Sequence, residues 1–333
     1  MFSTRRYQGP VTDHFDGRRF LNAPAVPHGG LRDFLRWRKT SKPGPWRDWT
    51  EALPGPPPPA RVARGGLRVT FVNHATVLLQ MDGLNLLTDP IWSYRCSPLS
   101  FIGPRRRRPP GIRFDDLPPI DAVLLSHNHY DHLDLPTLRS LQAKGSPRIY
   151  SGLGNHDFLE SRGIGRSRDL DWWEEAELAP GVTVRGVPAQ HFSGRGLRDR
   201  DGSLWMGFVI TGPSGSVYFA GDTAFGPHFE EIRKRCGPVR LALLPIGAFL
   251  PEWFMGRVHL SPEQALEAHR VLGAGSSMAI HFGTFRLADD GEELPAQRLR
   301  AALLLQPDPK PRFWVPGFGE GRDVPMLSGP TGL

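Results

Sequence analysis

The sequence predicts an α/β or α+β fold in which two mixed sheets pack face to face, with helices outside. Three observations lead to this prediction. Short runs of β character begin at Leu67, and Asp82-Gly83 between two of them is a strong hairpin signal. Helical segments are interspersed among the later apolar runs. A second half then follows with a similar order of elements, although no exact short repeat is present.

Ten segments have the length and residue types of strands. They span residues 67–73, 77–81, 84–87, 121–125, 148–151, 183–188, 204–210, 216–220, 239–244 and 277–280. Two helices carry start signals. Pro136 suits the first turn of a helix over 135–143, and the capping box Ser261-Pro262-Glu263-Gln264 opens a helix that should end near Gly273.

The first 60 residues differ from the rest in composition. They are predicted to be an irregular Pro/Trp-rich extension (1–60) packed on a main domain that covers 61–333. The proline-rich stretch 54–59 predicts an extended linker or a rigid loop. Trp37, Trp46 and Trp49 lie among Arg and Lys residues, so their rings either meet a membrane interface or pack on the protein itself.

The charge balance favours anionic partners. The formal net charge is +7 and the pI is about 9.8, which suits phosphorylated substrates, anionic lipid surfaces or nucleic acid, although solubility alone also explains it. The strongest basic run consists of Arg105, Arg106, Arg107 and Arg108. It is interpreted either as an anion patch that binds substrate near the mouth of a site, or as a solvated basic loop.

Three features bear on the compartment. Cys96 and Cys236 have no metal-binding spacing and fit a reducing environment. The first ten residues lack the apolar segment of a signal peptide. No run of ~18 apolar residues is present. We therefore expect a cytoplasmic protein, in which peripheral contact with the inner membrane face remains open.

Four metal-ligand side chains follow the apolar run 121–125 within six residues: His127, His129, Asp131 and His132. In extended chain His127 and His129 point to the same side, and the chain must then turn. Imidazole nitrogens and a carboxylate oxygen are ligands that a zinc-like ion prefers. A merely polar, His-rich loop is disfavoured, because desolvating four such groups without a partner is costly.

Further candidates are single residues at the ends of predicted strands. His191, Asp222 and His281 each follow one, and Gly221 allows close approach of the backbone beside Asp222. Taken alone, each is more often an ordinary polar residue. In a chain that already holds the four-residue cluster, the three together point to one metal site.

The cluster also carries a family resemblance. The stretch Leu-Leu-Ser-His-Asn-His-Tyr-Asp-His-Leu-Asp resembles the signature of the metallo-β-lactamase fold. In particular, it is similar to N-acyl-phosphatidylethanolamine-hydrolysing phospholipase D and its bacterial relatives, near the ascorbate-phosphate lactonases. The segments 87–90, 188–193, 219–223, 244–248, 253–255 and 280–285 fit the same branch, so the resemblance covers roughly residues 67–290. Ala224, where relatives usually carry Gly, and 154–156 depart from it.

The resemblance implies an α+β fold, the αβ/βα sandwich of the metallo-β-lactamases, and two Zn²⁺ ions, with Mn or Fe as alternatives. One ion would bind His127, His129 and His191. The other would bind Asp131, His132 and His281, and Asp222 would bridge the two. Asp89 would support a ligand imidazole, the alternative being a turn cap. His259 would contact the substrate phosphate or donate a proton, the alternative being an ordinary loop residue.

The resemblance further implies a zinc-dependent hydrolase with a phospholipase D-type activity. A metal-bridging hydroxide would attack the phosphodiester of an N-acylphosphatidylethanolamine-like lipid, with Asp131, Asp222 and His259 as catalytic residues. A lactonase acting on a phosphorylated sugar lactone stays open, because one site supports many reactions. A nuclease ranks lower, because no nucleic-acid-binding module accompanies the charge. The non-enzymatic alternative is a zinc-stabilised, membrane-associated scaffold.

Overall fold

The computed structural model describes residues 6–26, 29–196 and 198–327. Within them the chain forms two seven-stranded mixed sheets that share one apolar core, which confirms the predicted α+β sandwich. The strands are numbered β1–β14 and the helices α1–α7 in chain order. All ten predicted strands are present. The one predicted over 204–210 begins only at Gly207, because the preceding residues form no ladder.

The first sheet combines an antiparallel meander with parallel strands. Its strands, in spatial order, are β14 (Gly321–Asp323), β1 (Leu67–Asn73), β2 (Thr76–Met81), β3 (Leu84–Thr88), β4 (Ala122–Leu125), β5 (Arg148–Gly152) and β6 (Ser167–Leu170). Asp82 and Gly83 both have positive φ, of 51° and 84°, as the tight β2–β3 hairpin requires. The steps from β3 to β6 are parallel.

The second sheet repeats this plan. Its strands, in spatial order, are β13 (Phe313–Trp314), β12 (Ser276–Ile280), β11 (Leu241–Pro245), β10 (Gly215–Phe219), β9 (Gly207–Gly212), β8 (Val182–Val187) and β7 (Glu175–Ala179). The pairs from β7 to β10 are antiparallel, and those from β10 to β13 are parallel.

The pleat of the first sheet separates two apolar clusters. Phe71 and Leu79 pack in the core shared with the second sheet, whereas Val72 and Leu78 face a smaller cluster that includes Leu138. Neighbouring residues of one strand therefore bury their side chains on opposite faces. This arrangement leaves the loops at the strand ends free to carry polar residues.

Both predicted helices are confirmed. Ser261 Oγ accepts from Gln264 N at 3.2 Å, and Gln264 Oε1 accepts from Ser261 N at 3.0 Å, which completes the capping box. The helices are α1 (Leu31–Thr40), α2 (Leu135–Gly145), α3 (His156–Glu160), α4 (His228–Cys236), α5 (Glu252–Met255), α6 (Pro262–Val271) and α7 (Leu294–Leu304).

The prediction that residues 1–60 are irregular is wrong at α1. Trp37 on this helix donates to Asp289 Oδ1 at 3.1 Å, and Trp46 donates to the Asp290 carbonyl at 2.9 Å. Both rings therefore pack on the protein, while Trp49 is 38% exposed. The division into an extension and a domain from residue 61 stays a prediction. No helix in the described residues is long and apolar enough to cross a bilayer.

Candidate metal centre

Loops at the strand ends of both sheets bring the predicted ligands together. The group that follows β4 meets single residues that follow β8, β10 and β12. These residues are His127, His129, Asp131, His132, His191, Asp222 and His281. Five of the seven are buried, whereas His129 and Asp131 are partly buried and the Asp131 side chain is 14% exposed.

One group consists of three imidazoles. His129 Nδ1 lies 2.7 Å from His127 Nε2 and 3.3 Å from His191 Nε2. His191 donates its Nδ1 proton to the Val258 carbonyl at 2.9 Å, so its Nε2 carries a lone pair. The Ser126 hydroxyl donates its proton to Asp89, so its oxygen accepts from His127 Nδ1 at 2.9 Å. His127 Nε2 therefore also carries a lone pair. The Nε2 lone pairs of His127 and His191 thus both face His129 Nδ1. Three imidazole nitrogens meet in the same way at a tris-imidazole metal site.

A second group surrounds Asp131. Its Oδ2 lies 3.3 Å from His132 Nε2 and 3.6 Å from His281 Nε2. The same oxygen is 2.9 Å from the Nε2 of His74, a residue that the sequence analysis did not select. The His74 carbonyl also accepts from His281 N at 2.7 Å, so this residue positions both side chains.

Asp222 lies between the two groups. Its Oδ2 is 3.2 Å from the Nε2 atoms of both His132 and His281, 3.7 Å from His191 Nε2 and 3.8 Å from His259 Nδ1. One carboxylate oxygen therefore faces members of both groups. This is the position that a bridging ligand of two ions requires.

The donor set fits metal ions. His132 Nδ1 donates to Asp89 at 2.6 Å, so in the neutral ring the Nε2 lone pair faces the acceptor oxygens of Asp131 and Asp222. Such contacts are repulsive unless a cation lies between them. Within the described chain His132 Nε2, His281 Nε2 and Asp222 Oδ1 are buried without a hydrogen-bond partner. Orphaned polar atoms of this kind fit residues that bind a metal ion.

The electrostatics agree with this fit. Burial lowers the pKa of His129 to about 4 and holds the pKa of His127 well below its usual range, so both rings are neutral, as ligands must be. Burial alone would also lower the pKa of His281. The carboxylates of Asp222 and Asp131 outweigh it and raise that pKa to about 9, so without a metal the ring binds a proton in the cation's place.

Asp89 holds the imidazole of the candidate ligand His132 from behind. Its Oδ2 accepts from His132 Nδ1 at 2.6 Å and from Ser126 Oγ at 2.6 Å, while Oδ1 accepts from Ser126 N at 2.7 Å. The side chain is fully buried. Its contacts fix the orientation and tautomer of His132, as a carboxylate behind a metal-bound histidine does.

The sequence analysis missed His74, although a signal was present. His74 lies in the turn between β1 and β2, at a strand end like the residues that were selected, and its φ is 47°. A turn of this kind more often exposes its residues to solvent, so the local pattern gives little reason to expect a buried side chain. In the structure the side chain is 1% exposed, since the turn folds under the loop that carries Thr284, whose Oγ1 accepts from His74 N.

An apolar cavity of about 660 Å³ opens beside His259. Aromatic rings from three parts of the chain line it: Phe34 and Trp37 from α1, Phe192, and Phe254 from α5. Met255, Val258 and Leu287 add aliphatic surface, and Arg200 and Arg257 add charge. The cavity therefore combines the His259 imidazole, which lies 3.8 Å from Asp222 Oδ2, with an apolar wall.

The structure favours neither interpretation of the basic run, the anion patch or the solvated loop, because each of its guanidinium groups contacts a partner in the protein. Arg106 is 3% exposed, and its guanidinium donates to the Ser93 and Ile91 carbonyls. Arg105 and Arg107 both pair with Asp48. Arg108 pairs with the buried Glu292 at 3.0 Å and stacks on an aromatic ring. These charges serve internal contacts, because acidic residues and carbonyls distant in sequence fold onto the run. None of the four lines the cavity beside His259.

Comparison with known proteins shows which family the chain belongs to. Residues 84–282 match the family described as beta-lactamase superfamily domain. Over 265 residues the chain is 36% identical to N-acyl-phosphatidylethanolamine-hydrolyzing phospholipase D 1 of Caenorhabditis elegans, covering 76% of this chain and 74% of that protein. It is 34% identical to the mitochondrial enzyme of the same description from Saccharomyces cerevisiae, covering 66% of this chain and 48% of that protein.

Two solved structures share the fold at low sequence identity. A possible metal-dependent hydrolase from Veillonella parvula has a TM-score of 0.62 and 19% identity, covering 77% of this chain and 99% of that one. An isothiocyanate hydrolase from Delia radicum gut bacteria has a TM-score of 0.60 and 22% identity, covering 77% of this chain and 98% of that one.

Proposed function

Because this chain belongs to the beta-lactamase superfamily and is a metal-dependent hydrolase of it, we propose that it cleaves the phosphodiester of an N-acylphosphatidylethanolamine-like phospholipid. The reaction would add water across the P–O bond to the ethanolamine oxygen. Phosphatidic acid and an N-acylethanolamine would leave. The single observation that carries the proposal is the apolar cavity that opens beside His259 and the ligand cluster.

The ligand assignment is part of the proposal. His127, His129 and His191 would hold one ion. Asp131, His132 and His281 would hold the other, with Asp222 between them, as the contacts of its Oδ2 support. Two zinc ions bound there would supply Lewis acidity and a hydroxide nucleophile at neutral pH. Mn or Fe would suit the same mixed nitrogen and oxygen set.

The residues around the ligands would orient the substrate. His259 Nδ1 is buried, has no hydrogen-bond partner among the described residues and lies 3.8 Å from Asp222 Oδ2, so it can reach a phosphate oxygen beside the ligand cluster. Arg200 stacks over Phe192 at 4.8 Å and adds a cation to the cavity lining. The phosphate would thus meet polar groups at one end of the cavity.

The apolar wall would hold the acyl chains. Trp37 stacks on Phe254 at 5.5 Å, which joins α1 to α5 across the cavity. A volume of about 660 Å³ accommodates several methylene groups of a chain, each worth ~0.8 kcal/mol when buried. A small phosphorylated lactone would leave most of this surface unused, so the cavity favours the lipid over the lactone.

The test compares substrates on one metal-loaded preparation. We expect release of N-acylethanolamine and phosphatidic acid from N-acylphosphatidylethanolamine in mixed micelles, followed by mass spectrometry. His259→Gln should lower this rate. His269→Gln is the matched control, because His269 is also buried but its Nδ1 bonds Ser277 of β12 and not a residue of the ligand cluster. Rapid opening of a phosphorylated lactone with no lipid cleavage would replace the lipid proposal by the lactonase.

A further inference from the structure

A second cavity, of about 480 Å³, lies on the other side of the ligand-bearing loop. Tyr130, between the candidate ligands His129 and Asp131, forms part of its wall. The cavity shares no lining residue with the apolar cavity described above. However, Arg195 lines one and the adjacent Gly196 lines the other. The two cavities therefore adjoin, and both lie on the side of the molecule that carries the ligand cluster.

This second cavity is strongly basic. Four arginines line it, Arg95, Arg139, Arg162 and Arg195, against one carboxylate, Asp134, which gives the lining a formal charge of 4 − 1 = +3. The carboxylate is turned inward: its oxygens accept from the backbone N and hydroxyl of a serine and from a threonine hydroxyl. Arg95 donates to the Gly103 carbonyl, which is uncharged, so this contact leaves the positive charge of the lining in place.

Arg195 forms the rigid base of the cavity. It is 9% exposed, and its Nη1 donates to the carbonyls of Asn128 at 2.7 Å and Leu133 at 2.8 Å. The guanidinium stacks on the Tyr130 ring at 3.9 Å. Burial lowers its pKa only to about 10, so it stays charged at neutral pH. Arg139 also lines the cavity and is exposed to solvent.

An exposed apolar loop borders the same cavity. Ser97, Pro98 and Ser100 line it, and the loop then turns three apolar side chains to solvent. Leu99 is 36% exposed, Phe101 is 76% exposed and Ile102 is 58% exposed. A cluster of exposed apolar residues next to a positively charged cavity is what binding at an anionic lipid interface requires.

We propose that this cavity binds the headgroup phosphate of an anionic glycerophospholipid while Leu99, Phe101 and Ile102 enter the acyl boundary. Guanidinium groups match phosphate oxygens in bidentate pairs, which favours a phosphate over a carboxylate ligand. Docking of this kind turns the ligand cluster and its apolar cavity towards the membrane. It does not depend on which ester the metal centre cleaves, so it stands or falls separately from the proposed substrate.

The membrane source of the phosphate follows from the loop. A soluble phosphate compound would use the arginines but would gain nothing from three apolar side chains that face solvent. A lipid uses both features at once. The run of Arg105, Arg106, Arg107 and Arg108 cannot substitute, because its charges are held by internal partners.

The experiment measures vesicle binding by flotation of the metal-loaded protein. We expect binding to phosphatidylcholine vesicles that contain phosphatidylglycerol, weaker binding at high salt, and none to phosphatidylcholine alone. Arg139→Gln should weaken binding roughly fivefold, the usual effect of one basic residue near an anionic surface. Phe101→Ser should weaken it as well. Melting temperature and metal content should match those of the wild type.

Two control variants make the test specific. Arg300→Gln removes the same charge from the exposed face of α7, and Leu304→Ser removes an apolar side chain that is 76% exposed there. Both should bind vesicles as the wild type does. Equal loss in Arg139→Gln and Arg300→Gln would overturn the proposal, as would no loss in Phe101→Ser. Tight binding of glycerol phosphate without vesicles, unchanged in Phe101→Ser, would assign the cavity to a soluble phosphate instead.

Discussion

Replacing Asp89 by asparagine isolates the contribution of the carboxylate that holds the candidate ligand His132. The carboxylate accepts three hydrogen bonds, from His132 Nδ1, Ser126 Oγ and Ser126 N, and all three donors are buried. Asparagine has nearly the same volume but presents an NH₂ group in place of one oxygen. Whichever way the amide turns, at least one donor faces another donor.

The magnitude follows from that mismatch. Loss of one buried, charge-assisted hydrogen bond costs ~1.5–3 kcal/mol, and the freed His132 ring can then turn its Nε2 away from the ion. This corresponds to a loss of roughly 10–100-fold in metal affinity, as found for residues behind metal-bound histidines. The assay is a competition titration of metal against a chromophoric chelator at fixed pH. Thermal melting shows whether the variant is folded.

Asp134→Asn provides the matched control. Asp134 is also a buried carboxylate close to the same loop, but it accepts from Ser93 and Thr137 rather than from a candidate ligand. It should lose stability and keep its metal affinity. If Asp89→Asn held metal within twofold of the wild type, or if both variants lost the same affinity, the positioning role of Asp89 would be refuted.

Three further outcomes are expected. Phe254→Ala should lower kcat/KM for a long-chain lipid at least roughly tenfold relative to a short-chain analogue, because burying a Phe side chain is worth ~1.5–3 kcal/mol; equal losses for both substrates would contradict this. Arg106→Gln should lower the free energy of unfolding by ~1–3 kcal/mol through a buried carbonyl left without its donor. Arg105→Gln should have no measurable effect on chemical denaturation, because Arg105 is partly exposed and pairs with the exposed Asp48. Burial lowers the pKa of His14, but hydrogen bonds to Asp171 and a second carboxylate outweigh it and leave the pKa above 6.5. The stability that this pair contributes is therefore fully present below pH 6.5 and is lost as the pH rises through the raised pKa, so His14→Gln should destabilise more at low than at high pH; a pH-independent difference would contradict this.

The site was more predictable than its surroundings. His191, Asp222 and His281 were selected because each follows a strand, and strand ends from both sheets do meet at one edge. This rule depends only on local pattern and on the two-sheet topology. His74 also lies at a strand end, but its burial depends on the later loop around Thr284, which no local pattern reveals.

The role of the basic run could not be predicted for the same reason. Arg106 is buried because the Ile91 and Ser93 carbonyls lie where its guanidinium reaches, and Arg108 meets Glu292, which is 184 residues away. A charge run indicates solvent exposure only when no distant partner folds onto it. The positive cavity proposed to bind phosphate is instead built from arginines of four separate segments.

Three elements, β6, β7 and α1, were not predicted, because their residue types do not follow the patterns used to predict strands and helices. β6 has the sequence Ser-Arg-Asp-Leu, without an apolar run, and β7 has Glu-Ala-Glu-Leu-Ala, which favours a helix by propensity. Both are strands because neighbouring strands supply their ladder partners. In α1 the spacing of Leu31, Phe34 and Leu35 fits a helix, but the surrounding basic and aromatic residues were taken for an irregular arm.

Metal content, measured together with hydrolysis on the same preparation, tests the central claim most directly. Elemental analysis of the purified wild type should give about two equivalents of a transition metal. Asp222→Ala should retain less metal and lose nearly all activity, because its Oδ2 is the atom that faces both ligand groups. A metal-free protein with full hydrolytic activity, or normal turnover by Asp222→Ala, would contradict the account.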